Sequence, residues 1–166
     1  MMRPQYFIGQ AILYALFAGG VGYLSTSPVY SPIEPDQAVI KLSFSHVGKR
    51  TGECRPMRPQ EIAQLPPNMR HTLDCPRGRL PVLVELEMDG ELLIRRSLQA
   101  SGLSHDRASS IYQKVRVPPG HHRLTARLRD SARTEGFDYE RSAEITLAPQ
   151  QNFVVDFHAE NGGFVF

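Results

Sequence analysis

Residues 82–94 read VLVELEMDGELLI, and their pattern decides the fold. Val82, Val84, Leu86 and Met88 alternate with Glu85 and Glu87. A period of two puts the first set on one face of a strand and the charges on the other. Asp89-Gly90 then separates this run from Leu92 and Ile94. A type I′ turn needs positive φ at both central residues, which Asp and Gly tolerate, so the stretch predicts a β-hairpin.

The same period recurs on both sides. Ile40, Leu42 and Phe44 alternate with Lys41, Ser43 and Ser45. Residues 111–117 form another strand pattern, with Tyr112, Lys114 and Arg116 outward, and Pro118-Pro119-Gly120 turns the chain. His122, Leu124, Ala126 and Leu128 alternate with four polar residues, residues 138–147 repeat the pattern, and Phe153, Val155 and Phe157 close it. Seven short strands cut by turns predict an all-β chain folded as a single seven-stranded β-sandwich over residues 38–166. One short helix is expected at 59–65, with Pro59 at its first position and Pro66-Pro67 stopping it. The C-terminal HAENGGFVF ends in Phe164, Val165 and Phe166. These should pack on the domain as a last strand rather than enter a partner.

Composition supports this class. The 166 residues carry 19 Lys+Arg against 17 Asp+Glu, a net charge of +2, which argues against a nucleic-acid binder. Thirteen glycines and thirteen prolines argue against a long helical bundle.

Residues 6–24, YFIGQAILYALFAGGVGYL, contain no charge. At 1.5 Å per residue they would span ~28 Å, close to the hydrocarbon core of a bilayer. Arg3 precedes the run and the next charges are Glu34 and Asp36, so residues 1–5 should stay cytoplasmic and the rest should be exported. The alternative is a cleaved signal peptide. Ala11, Ala15 and Gly19 recur every four residues, a small-residue face on which a second membrane helix could pack. Residues 25–37 hold Pro28, Pro32 and Pro35 and should form an extended stalk of up to ~40 Å.

The turn and strand residues after position 117 carry a resemblance. VPPGHHRLTARL, then Gly136-Phe137, then YERSAEITLAPQQNFVVDF, are similar to a PEGA-type module. The shared features are a V-P-x-G-x-H turn, a strand, Gly-aromatic, a strand, a Pro-containing turn and a last strand. Gln150-Gln151 stands where the family often has a glycine, and the 129–135 connection is longer. The resemblance covers residues 117–157 and implies an exported β-sandwich used for binding or scaffolding, with no site residues carried over.

Residues 48–79 do not fit the strand pattern and form a long insertion. Cys54 and Cys75 lie in it, and in an exported domain they should form a disulfide. The alternative is a copper site of Cys54, Met57, Met69, His71 and Cys75, since thiolate, thioether and imidazole suit Cu(I). The segment is also basic. Lys49, Arg50, Arg55, Arg58, Arg70, Arg77 and Arg79 face Glu53, Glu61 and Asp74, a local excess of four positive charges. That surface could meet anionic headgroups or an acidic partner.

No convergent catalytic set is legible. There is no G-x-S-x-G, H-E-x-x-H or Walker loop. His121 and His122 should point to opposite faces of a strand, and Glu85 and Glu87 should form a cross-strand ion-pair ladder with Arg95 and its neighbours. The sequence therefore predicts a non-catalytic accessory or scaffolding protein of the bacterial inner membrane, periplasmic beyond its anchor, without cofactor. It should contact the bilayer through residues 6–24, engage a membrane-protein partner and bind no nucleic acid. Copper handling and glycan or peptidoglycan binding are the alternatives.

Overall fold

The computed structural model describes residues 4–27 and 32–166, with side chains described from residue 7 onward. It divides into two compact units, 1–34 and 35–166.

The first unit is dominated by the helix α1 (Pro4–Thr26). Phe7–Thr26 is long and apolar enough to cross a membrane, and none of it is buried in protein. Membrane anchors and signal sequences share this length and composition. The helix runs two residues into the expected stalk. Ser25 and Thr26 extend it by turning their hydroxyls back onto the Gly22 carbonyl at 2.8 and 3.3 Å. Residues 28–31 of the stalk lie outside the described residues.

The second unit is mostly β. Its major strands are β1 (Ala38–His46), β4 (Val82–Met88), β5 (Glu91–Leu98), β6 (Ser109–Val117), β7 (Gly120–Arg129), β8 (Tyr139–Leu147), β9 (Asn152–His158) and β10 (Gly163–Val165). The remaining two, β2 (Arg55–Pro56) and β3 (Leu73–Asp74), lie in the insertion. The larger strands form two open four-stranded sheets, ordered β10-β9-β1-β6 and β5-β4-β7-β8.

Eight strands, not seven, build these sheets. The eighth is β10, where Phe164 pairs with Phe157 and is 3% exposed. The apolar tip thus forms the last strand of the domain, as its composition suggests. One neighbour relation could not be expected from alternation: β1 pairs antiparallel with β6 but parallel with β9.

The inward residues of both sheets form one cluster. Ile40 and Leu42 of β1, Val84 and Leu86 of β4, Leu124 and Leu128 of β7, and Val155 of β9 are fully buried within it. Burying each of the larger aliphatic side chains contributes up to ~1.5–3 kcal/mol. At one end Phe157 meets Phe44, Phe164, Tyr139 and His46 with ring centroids 4.9–5.6 Å apart, mostly edge-on.

The hairpin that decides the fold is present. Asp89 and Gly90 both take positive φ, 54° and 86°, joining β4 to β5. The outer face of the second sheet carries the expected ion-pair ladder. Arg95 Nε lies 3.0 Å from Glu85, while Arg127 lies 2.6 Å from Glu87 and 3.3 Å from Glu140.

Candidate functional site: an arginine-rich, disulfide-closed arm

The insertion is more regular than its composition suggests. Its two limbs pair in a single antiparallel register. The Leu80 amide donates to the Lys49 carbonyl at 2.8 Å and the Thr51 amide to Gly78 at 3.0 Å, with Arg50 opposite Arg79. Further out Arg55 pairs with Asp74 and Pro56 with Leu73, and the Met57 amide donates to the Thr72 carbonyl at 2.9 Å. The Cys54–Cys75 disulfide sits in this register between the two groups of pairs. Its Cα atoms are 4.2 Å apart, the close approach of a pair that exchanges no backbone hydrogen bonds. Residues 49–80 are therefore a hairpin arm stapled halfway along its length.

The tip of the arm is α2 (Pro59–Gln64) followed by a single 3-10 turn, Pro67–Met69. The helix starts at Pro59, where a missing amide costs nothing. The Arg58 amide donates to Glu61 Oε2 at 2.8 Å, closing the first turn. That bond lowers the Glu61 pKa against the opposing effect of desolvation, and the nearby Arg55 guanidinium adds to the lowering.

None of the arm belongs to the buried core. Its order comes from backbone pairing, the disulfide and ion pairs. Arg55 bridges Glu61 and Asp74, each at 3.2 Å, across the two limbs. Arg50 donates to the Pro76 carbonyl at 3.0 Å and Arg70 to the Leu65 carbonyl at 3.3 Å. These two spend hydrogen bonds on carbonyls and keep their net charge. Among the described residues no carboxylate pairs with Arg50, Arg58, Arg70, Arg77 or Arg79. The charge excess read in the sequence thus survives folding, spread along the arm. Apolar surface accompanies it, since Met69 is 56% and Leu73 51% exposed. Positive charge beside exposed apolar side chains fits contact with an anionic surface that also offers hydrocarbon.

Cys54 and Cys75 are joined, so in this form neither sulfur is a thiolate donor. The Cys/Met/His ligand set exists only in the reduced chain. His71 Nδ1 meets the Met69 carbonyl at 2.6 Å, within the tip itself. Ala11, Ala15 and Gly19 lie exposed on α1. His121 and His122 diverge, to Thr146 and to Asp89 respectively.

The root of the arm carries no motif in the sequence. There His46 Nε2 lies 2.7 Å from Asp130 Oδ2, and Lys49 Nζ lies 3.4 Å from Asp130 and 3.7 Å from Asp138. Asp138 also accepts from the Ser131 hydroxyl at 2.7 Å and the Asp130 amide at 3.0 Å. Burial pushes its pKa up. The Ser131 hydroxyl, the Asp130 amide and the charges of Lys49 and Arg133 outweigh that, and the carboxyl stays below its ordinary value of 3.8. No local pattern links residues 46–49 to 130–138; the packing of one sheet against the other brings them together.

No protein-family model, curated protein or solved structure matches this chain. The likeness of residues 117–157 to a PEGA-type module therefore rests on the turn and strand residues already quoted.

Proposed function

We propose that the protein is a single-pass, non-catalytic component of a bacterial inner-membrane assembly, with a periplasmic β-sandwich of PEGA-like type. In this reading α1 stays as the anchor and the stapled arm is the docking surface for an acidic membrane-protein partner. The carrying observation is the arm itself. It is held by a disulfide, contributes nothing to the core, and leaves five arginines without a carboxylate partner among the described residues. A disulfide persists in an oxidising compartment, which supports export. An element that does not stabilise the core yet is kept ordered supports a role in recognition. The small-residue face of α1, Ala11, Ala15 and Gly19, offers a second contact within the bilayer.

The test uses the full chain in its membrane. Protease accessibility in spheroplasts should place the β domain outside, and unreduced protein should resist alkylation at both cysteines. A photocrosslinker at position 58 should give one discrete adduct, and R70E/R77E should reduce it at least tenfold. A cytoplasmic β domain, two alkylated thiols with bound copper, or an adduct indifferent to R70E/R77E would each overturn the reading.

A further inference from the structure

A cleft of about 460 Å³ lies at one end of the outer face of the second sheet, away from the tip of the arm. Register explains its chemistry. Leu83 of β4 stands between Arg129 of β7 and Ser97 of β5, forming its floor. The connection after β7 contributes Ser131 and Arg133, and Arg95 closes the side toward the ion-pair ladder. Among the described residues three arginines thus line the cleft, and no Asp or Glu does.

The three are not equivalent. Arg95 is paired with Glu85 at 3.0 Å, and Arg133 with Asp138 at 3.4 Å. Arg129 is held differently. Its Nη1 donates to the carbonyls of Thr134 and Gly136, at 2.6 and 3.4 Å, and among the described residues no carboxylate pairs with it. Two carbonyls fix the plane of the guanidinium while leaving its charge and its other N–H donors available. A planar fork oriented in this way suits an oxyanion. The Ser97 hydroxyl is a further donor, whereas Ser131 already donates to Asp138. Leu83 and the neighbouring Leu80 and Pro81 supply an apolar wall. The volume lies in the range of small-ligand sites.

The geometry points to a binding site for a phosphate-type oxyanion in this cleft, with Arg129 as its principal donor. The anion is either free phosphate or the head group of an anionic phospholipid. The site touches the arm only at its root, through Leu80, and does not rest on the proposed function.

The experiment follows thermal unfolding of the full chain in dodecyl maltoside. Inorganic phosphate should raise the unfolding midpoint above a chloride control of equal ionic strength, because a ligand that binds only the folded state stabilises it. In R129Q the apparent affinity for phosphate should fall at least ~10-fold. S97E places a carboxylate in the cleft while keeping Arg129, and it should lose the phosphate response as well. It decides the matter if R129Q folds poorly. K114Q, on the other sheet, should respond as the wild type does. A soluble short-chain phosphatidate separates the two sources. Saturation at concentrations at least tenfold below phosphate assigns the site to a lipid head group, and an equal or weaker response assigns it to the free anion. A phosphate response equal to that of chloride, or one retained in S97E, overturns the site.

Discussion

His46 and Asp130 meet at 2.7 Å where β1 gives way to the arm, their side chains 12% and 4% exposed. The contact joins one sheet to the other, since His46 ends β1 and Asp130 follows β7. The Lys49 amide also donates to the Asp130 carbonyl at 3.1 Å, so this one residue holds both the strand end and the first residue of the arm's stem.

Removing that carboxylate should therefore be costly. D130A strands a part-buried imidazole and removes one of the two partners of Lys49, and it should lower unfolding free energy by ~2–4 kcal/mol in urea titrations. A loss under about 0.5 kcal/mol would place the pair among weak surface contacts.

Asp138 gives the domain an acid limb of known sign. Its folded pKa is depressed below 3.8, so its contribution is present above that value. It is lost as pH falls through the folded pKa. Between pH 5 and pH 3 the wild type should lose more stability than D138N. S131A, which removes the strongest lowering partner, should show a shallower limb than the wild type. Parallel limbs for all three proteins would contradict the assignment.

Reducing Cys54–Cys75 should free the arm and spare the sheets. The closed loop of 22 residues implies ~3 kcal/mol of chain-entropy stabilisation. The arm buries nothing in the core, so this acts on its own order. C54S/C75S should become at least tenfold more sensitive to trypsin at Arg70 and Arg77. The midpoint of sheet unfolding, followed by far-UV circular dichroism, should move by only a few degrees. Coincident loss of the arm and the sheets would show that the two are one cooperative unit.

Two glycines should respond differently to alanine. Gly90 takes φ 86° and its Cβ would meet nothing, so G90A costs only the left-handed conformation, ~1 kcal/mol. Gly48 is buried at the root of the arm, and a Cβ there would run into the Leu80 carbonyl oxygen. G48A must displace backbone and should cost clearly more than G90A in the same denaturation series. The reverse order would mean that the root is yielding.

The elements that were legible in the sequence are those whose signal is local. Alternation from Val82 to Met88 and Asp89-Gly90 located a hairpin to the residue. Pro59 and Pro66 bracketed the short helix α2. Cys54 and Cys75 pointed to each other through compartment logic. What stayed hidden depends on register between distant segments. Parallel pairing of β1 with β9 leaves no trace in either strand alone. The arm's limbs alternate too weakly, with three prolines among residues 56–66, to read as strands. Arg129 looked like one more outward arginine of β7. Its distinctness arises only because the 130–138 connection offers carbonyls where its neighbours find carboxylates.

The parallel seam between β1 and β9 sets an order of events for the chain. β1 lies inside its sheet, with one neighbour drawn from β6 and the other from a strand over a hundred residues downstream. Loop closure on that scale delays a core whose contacts are mostly distant in sequence. The first strand of the domain therefore waits, unpaired on that side, until β9 has followed it. Cys54 and Cys75 are close neighbours by comparison and can meet long before that. If the domain is delivered N-terminus first, its oxidation precedes its folding. The stapled arm would then be the oldest part of the finished protein, and the chain would need protection from aggregation until its last strand arrives.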